Sequence, residues 1–152
     1  MDNKYVSGGI SGAITSPFSD EAQKHAEMYY EEIRHFTTDV QYIAQNTGYA
    51  ETTIALIKDY LFIDKHQLST GFKRFEASFE IAESWRRMAF DRKNIKYHDL
   101  LLLQHELEEI SWCRKGMTQD HAHIEASKKY DYTSESRRFY NSLAEEKENN
   151  IR

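Results

Sequence analysis

The chain is poor in the residues that mark secreted, disulfide-bonded or membrane-spanning proteins. Cys113 is the only cysteine among 152 residues, so no disulfide can form within one chain and a reducing compartment is indicated. A single cysteine also excludes a thiolate-rich zinc site within one chain. The sequence has no apolar run of about eighteen residues, the length needed to cross a bilayer, and its N-terminus has no signal-peptide core. We therefore expect no membrane partner and a cytoplasmic location.

A surplus of positive charge is also absent. The formal net charge is −5, which argues against non-specific binding to nucleic acid, because that binding needs a basic face. A local basic patch remains compatible with this balance. Composition gives no indication of the oligomeric state.

Proline and glycine are scarce, and this favours long helices. The chain has one proline and six glycines, three of them in the segment "GGISG", which predicts a flexible Gly/Ser-rich arm over residues 1–15. Beyond it, apolar residues recur at helical spacing, and no alternating run bounded by turns indicates a strand. We predict an all-α domain of six to seven helices over residues 16–148, with "HQLSTGFKRF" as a loop. The predicted helices cover about 19–36, 38–46, 51–62, 78–90, 99–115 and 118–130, with a last one from about 134.

The segment "HELEE" is the strongest candidate site. His105 and Glu109 are four residues apart and share one helix face, in a pattern close to the HExxH of zinc hydrolases with Glu in the last place. An imidazole and a carboxylate one turn apart can bind a divalent metal such as zinc. Glu106 could then act as general base on a bound water. Gly116 turns the chain back, so the third ligand is predicted on the next helix, at His123 or His121.

The same residues allow two other interpretations. One is a metal-free acid–base or nuclease-like site, because histidine moves protons near neutral pH; an arginine, Arg34, Arg86 or Arg87, would then bind a phosphate or another anion. The other is purely structural: a solvated helix face, with His105 partly buried and hydrogen-bonded to Glu109 or across the hairpin, and the arginines in surface or interhelical ion pairs. Three further residues are assigned structural places: Trp85 in the core, Cys113 as a buried small hydrophobe and His66 in a loop.

A second pattern, "VQYIAQNTGYAETTIALIKDYL", has helix-turn-helix spacing. Ala44 permits close helix packing, Gly48 suits the tight turn, and Ile54 and Ile57 close the core. As a DNA-binding pattern it is weak, because the second helix offers one lysine, Lys58, and no arginine to bases or phosphates. A plain helical corner is the favoured interpretation.

Three stretches resemble a known phage-associated module: "HAEMYYEEIRHFTTDVQYIAQNTGY", "AESWRRM" and "HDLLLLQHELEEISWCRKGMTQDHAHIEASKKYDY". The module is found behind phage head-morphogenesis (minor head) proteins, and in toxin-like proteins, of Gram-positive phages and prophages. The resemblance covers nearly the whole chain after about residue 10. It rests on Tyr29, Tyr30 and Arg34; Thr47 and Gly48; Ser84, Trp85 and Arg87; His105, Glu106 and Glu109; and Ala122, His123, Ala126 and Tyr130.

The resemblance implies an effector or toxin context, either cytoplasmic or associated with the phage particle, and favours His123 over His121 as the partner of His105. We therefore predict a hydrolase or nuclease with metal ligands His105, Glu109 and His123. Its predicted catalytic residues are His105, Glu106, His123 and Arg34. The alternative is an accessory module that binds a phage or bacterial protein without chemistry, and helix-turn-helix DNA binding is less favoured.

Overall fold

Helices dominate the structure, a computed structural model that describes residues 16–151. The described chain forms seven α-helices and one small sheet, so the all-α prediction is confirmed. The predicted arm over residues 1–15 lies outside the described residues. The helices are α1 (Asp20–His35), α2 (Asp39–Thr47), α3 (Glu51–Lys58), α4 (Phe79–Phe90), α5 (Tyr97–Arg114), α6 (Gln119–Lys129) and α7 (Tyr132–Ile151).

A β-hairpin replaces the loop predicted for "HQLSTGFKRF". Strands β1 (His66–Leu68) and β2 (Gly71–Lys73) pair antiparallel, with His66 opposite Lys73 and Leu68 opposite Gly71. The loop prediction was wrong here because each strand has three residues, too few for an alternating pattern to be visible. His66 therefore lies in a strand, and its Nε2 donates to the Tyr60 carbonyl at 2.7 Å.

Helix α3 ends earlier than the apolar pattern predicts. The α-helical part stops at Lys58, and the chain continues as a π-helical turn, Asp59–Ile63. Arg34 Nε donates to the carbonyl of Phe62 in this turn at 2.7 Å. Single π-turns often accompany functional sites, and this one orients Tyr60 toward helix α5, where its hydroxyl contacts Glu109.

The core lies around Trp85 of α4, which is completely buried, as the sequence predicts. Its ring packs edge-on against Phe62 at 5.1 Å between centroids. Its indole Nε1 donates to Asp39 at 2.9 Å, and Lys58 binds the same carboxylate at 2.9 Å. The buried lysine and indole thus satisfy a buried acid, as low-dielectric surroundings require.

The hairpin of helices α5 and α6 places the candidate site. Gly116 adopts φ +99°, a left-handed conformation that favours glycine. The Thr118 side chain then caps α6 by accepting from the His121 backbone N–H. The two helices consequently run back along each other, and residues of α6 face the third turn of α5.

Candidate metal centre

Three side-chain atoms of the α5–α6 hairpin converge on one point. His105 Nε2 lies 3.1 Å from Glu109 Oε1, which lies 3.0 Å from His123 Nδ1, and the two ring nitrogens are 3.3 Å apart. Ligand atoms bound tetrahedrally at about 2.0–2.1 Å from a zinc ion are separated by about 3.3 Å. The three predicted ligands are therefore spaced as one divalent ion requires. His121 is exposed and is not part of this cluster.

The contacts of His105 show that a proton or a metal cation is needed between it and Glu109. Its Nδ1 is 3.0 Å from the carbonyl oxygen of Tyr130, and a carbonyl can only accept, so Nδ1 carries the hydrogen. Its Nε2 faces Glu109 Oε1 at 3.1 Å, so a proton or a metal cation must lie between these two atoms, because two bare acceptors would repel each other.

Hydrogen bonds from residues outside the cluster fix the orientation of the candidate ligands. The Tyr60 hydroxyl donates to Glu109 Oε2, and Gln119 Nε2 donates to the same oxygen at 3.4 Å. Burial, and next the charge of Glu109, raise the pKa of Tyr60, which keeps its hydroxyl protonated as a donor. Together with the Tyr130 carbonyl, these groups orient the imidazole and the carboxylate, as such partners do around metal ligands.

Glu109 is ionised at neutral pH although it is buried. Burial by itself would raise its pKa, but hydrogen bonds with His105, His123 and Tyr60 outweigh it and lower the pKa to about 2. The hydrogen bond to Glu109 is also the main reason that the pKa of His123 is raised, against the opposing effect of burial. The Glu109 carboxylate is therefore already charged, as a metal ligand must be.

Glu106 is a buried carboxyl beside the cluster, only 5% exposed. Its Oε2 lies 3.9 Å from His105 Nε2, and within the described part of the chain no hydrogen bond reaches it. Burial, and then the charge of Glu109, raise its pKa well above the usual value. A carboxyl with a perturbed pKa in the wall of a cavity is a candidate for proton transfer.

Two cavities meet at this cluster. One has a volume of about 250 Å³ and reaches toward α7, and the other has a volume of about 230 Å³ and reaches toward the π-turn after α3 and the segment that follows the β-hairpin. Glu106 and His123 line both. The His123 side chain is 50% exposed, so the cluster is accessible from solvent while its other members are buried.

The predicted anion-binding arginines are engaged elsewhere. Arg34 lines neither cavity; it binds the Phe62 carbonyl and Glu31. Arg86 and Arg87 form the ion pairs expected of structural arginines. Arg86 pairs with Glu83 and Asp91, and Arg87 with Asp99.

One arginine that sequence reasoning missed, Arg137 of α7, lines the larger cavity. It follows no motif, and only the packing of α7 brings it there. Tyr60 was missed for a similar reason, because it lies 49 positions from Glu109 in the chain.

The remaining sequence candidates have structural places. Gly48 takes the turn between α2 and α3 at φ +84°, and Lys58 is buried, with its ammonium bound to Asp39 and the Phe36 carbonyl. The only lysine of the helix-turn-helix candidate is therefore not available to phosphates. Cys113 is half-buried rather than buried, 3.8 Å from the Tyr60 hydroxyl, and burial raises the pKa of its thiol.

Comparisons of the chain with protein-family models, with curated proteins and with solved structures gave no match. Among the described residues, no helix has the length and apolar character needed to cross a bilayer. Function must therefore be inferred from the chemistry of the cluster itself.

Proposed function

We propose that the protein is a metal-dependent hydrolase whose ligands are His105, Glu109 and His123. The observation that carries this proposal is the convergence of three ligand atoms within 3.3 Å of one another. Two imidazoles and one carboxylate form a donor set common in catalytic zinc sites, where the fourth position is left to water. Zinc is accordingly the ion that we propose.

Each neighbouring group has a definite role in this scheme. A divalent ion held by these three residues would supply a water of lowered pKa and would polarise the bond to be cleaved. Glu106, beside the cluster, would carry a proton from the attacking water to the leaving group. Tyr60 and Gln119 hold the outer oxygen of Glu109. His123, half exposed, forms the side from which substrate approaches.

We also propose that this activity serves a phage- or prophage-encoded effector that acts inside a bacterial cell. Support comes from the resemblance of the chain to modules of minor head and toxin-like proteins. In that setting the cluster supplies the toxic chemistry, and a phage or bacterial protein partner would deliver or restrain it.

The test compares three proteins: wild type, the double variant His105→Ala/His123→Ala, and His121→Ala as a matched control on the same helix. Zinc-dependent hydrolysis of a panel of chromogenic esters, anilides and phosphodiesters is measured in vitro, and growth is measured after induced expression. We expect hydrolysis and growth inhibition from wild type and His121→Ala, and neither from the double variant.

Circular dichroism checks that the double variant is folded. A folded double variant that still hydrolyses a substrate and still inhibits growth would refute the proposal. Growth inhibition without any hydrolysis in all three proteins would show an interaction module instead.

A further inference from the structure

The walls of the two cavities are acidic. Glu80 and Glu106 line the larger cavity, and Glu76, Glu106 and Glu109 line the smaller one. Among the described residues on these walls, Arg137 is the only lysine or arginine, and its Nε is 3.5 Å from Glu80. A nucleic acid carries a negative charge on every nucleotide and is bound through several free cations. The cavity walls therefore disfavour a phosphodiester chain.

The smaller cavity is suited to an apolar group. Its walls include Tyr30, Leu61, Phe75 and Ile81, with the first two buried and the other two half-buried. Glu76 is exposed at its edge. Apolar walls with an exposed carboxylate at the edge, in addition to the carboxyls of the cluster, select an apolar group whose neighbour is neutral or positive.

The larger cavity differs in character. Hydroxyl groups of Ser78 and Thr133 and the amide of Gln23 line it beside Phe79. These groups can hydrogen-bond to a polar chain without requiring a charge on it. The metal cluster lies between the two cavities, because Glu106, His123 and Ile81 belong to both walls. A substrate that spans the cluster would thus have one apolar and one polar side.

We infer that the site hydrolyses a neutral or cationic acyl compound, an ester or an amide, whose apolar group occupies the smaller cavity. This inference rests on the proposed hydrolase function. The water oxygen bonds to the acyl carbon, and the bond from that carbon to the leaving oxygen or nitrogen breaks. One water proton passes through Glu106 to the leaving group, so the products are an acid and an alcohol or amine, with no oxidant or reductant.

Hydroxamates test the inference without relying on turnover, because they bind zinc as acyl analogues. The zinc-loaded full chain is titrated with 4-methylpentanohydroxamate, with acetohydroxamate, which lacks the apolar group, and with a single-stranded oligonucleotide. We expect the longer hydroxamate to bind about tenfold or more tightly than acetohydroxamate, since it buries several more methylene groups. We expect no binding of the oligonucleotide at moderate salt.

The effect of the Glu76 charge at the edge of the smaller cavity is tested with two probes. Leucine hydroxamate is cationic, and its N-succinyl derivative is anionic. We expect the cationic probe to bind more tightly, and Glu76→Lys to narrow or reverse the preference by about threefold or more. The control, Glu51→Lys, makes the same charge change on an exposed residue of α3 that lines neither cavity, and it should leave the preference unchanged.

The outcomes distinguish failure of the proposed hydrolase function from failure of the inference about an acyl substrate. If zinc does not bind to wild type, or binds equally to His105→Ala/His123→Ala, the proposed function fails and the inference fails with it. If zinc binds but the oligonucleotide is bound or cleaved in preference to the hydroxamates, the acyl inference alone is overturned. Zinc-loaded protein that binds the two neutral hydroxamates equally also overturns it, because the apolar cavity would then have no effect.

Discussion

Helix α5 carries two buried histidines two turns apart, His98 and His105, and each lies in a cluster with a carboxylate. The two clusters differ in which groups neutralise the carboxylate. At the first, the Asp99 carboxylate accepts from Arg87 Nε and Nη2 at 2.9 and 2.8 Å, and from the Lys96 backbone N–H at 2.7 Å. His98 Nε2 accepts from the same guanidinium at 3.1 Å. Every acceptor of this cluster faces a donor, and the cation belongs to the protein.

At the second cluster, two histidines and a carboxylate converge, and among the described residues no lysine or arginine is hydrogen-bonded to them. His105 Nε2 and His123 Nδ1 both lie within hydrogen-bond distance of Glu109 Oε1 and of each other. The contrast separates a structural ion cluster from a candidate binding site on one helix. A guanidinium completes the first cluster, whereas the second is completed by a proton or by a metal ion from solution.

The largest effect is expected on the rate of hydrolysis when Glu106 is replaced. This second carboxyl lies beside the His105 cluster, and the His98 cluster has no counterpart among the described residues. Glu106→Gln keeps the shape but removes the proton acceptor, so the rate of zinc-dependent hydrolysis should fall by about 10³-fold, within the range for general bases. Zinc affinity should change little. The control is Glu108→Gln, whose carboxylate binds Trp112 and Lys129. Equal rates for Glu106→Gln and wild type would remove Glu106 from the mechanism.

The next effect concerns the cation of the first cluster. Arg87→Met leaves Asp99 buried without its ion-pair partner, and the free energy of unfolding should fall by about 3 kcal/mol, with or without zinc. Urea unfolding monitored by circular dichroism measures it. Arg138→Met, at an exposed pair with Glu135, should cost far less. Equal losses at the two positions would contradict the structural role of the first cluster.

A smaller effect is expected at Tyr60, which orients Glu109 without touching the metal position. Tyr60→Phe removes the donor to Glu109 Oε2, and zinc affinity should fall by about 10–100-fold, as for other partners of metal ligands. Competition with a chromophoric chelator measures the affinity. Tyr97→Phe, at a residue that is 68% exposed, is the control. An unchanged zinc affinity in Tyr60→Phe would mean that the Tyr60 hydroxyl is not needed to orient the Glu109 carboxylate.

The smallest effect is a pH dependence that belongs to the first cluster. Burial, with the charges of Arg87 and Lys96 adding and Asp99 opposing, lowers the pKa of His98 to about 4. Below the unfolded pKa of about 6.5, the unfolded chain gains a proton that the folded chain does not. Stability should therefore be complete above this pH and be lost as the pH falls, by about 1 kcal/mol between pH 6.5 and 5.5.

The comparison of wild type with His98→Gln, in chelator, isolates this contribution from the other histidines. We expect the difference in unfolding free energy between the two proteins to shrink as the pH falls toward 5.5. A difference that stays constant over this range would show that His98 titrates alike in the folded and unfolded chains.

Local sequence patterns were enough to place the ligands on their helices. The spacing of His105 and Glu109 gives one helix face, and Gly116 with Thr118 predicts the turn that returns the chain. These signals operate over a few residues, so they can be read without the fold. They also predicted that His123 or His121 would face α5, although only the rotation of α6 decides between them.

The rest depends on packing between distant segments. The π-turn that orients Tyr60 has no local signature, and the short hairpin after it is below the length at which alternation is visible. The choice of arginine shows the same limit, because no local pattern in the sequence indicates that Arg137 lines the cavity and that Arg34 does not. Only the packing of α7 against the cavity distinguishes them.

Isothermal titration of zinc into chelator-treated protein tests the metal centre most directly. For wild type and for His121→Ala, we expect one zinc ion per chain with release of a proton. For His105→Ala/His123→Ala, we expect no binding at the same concentrations. Zinc that fails to bind wild type, or that binds the folded double variant equally well, would contradict the metal centre and leave the cluster as a proton-sharing structural network.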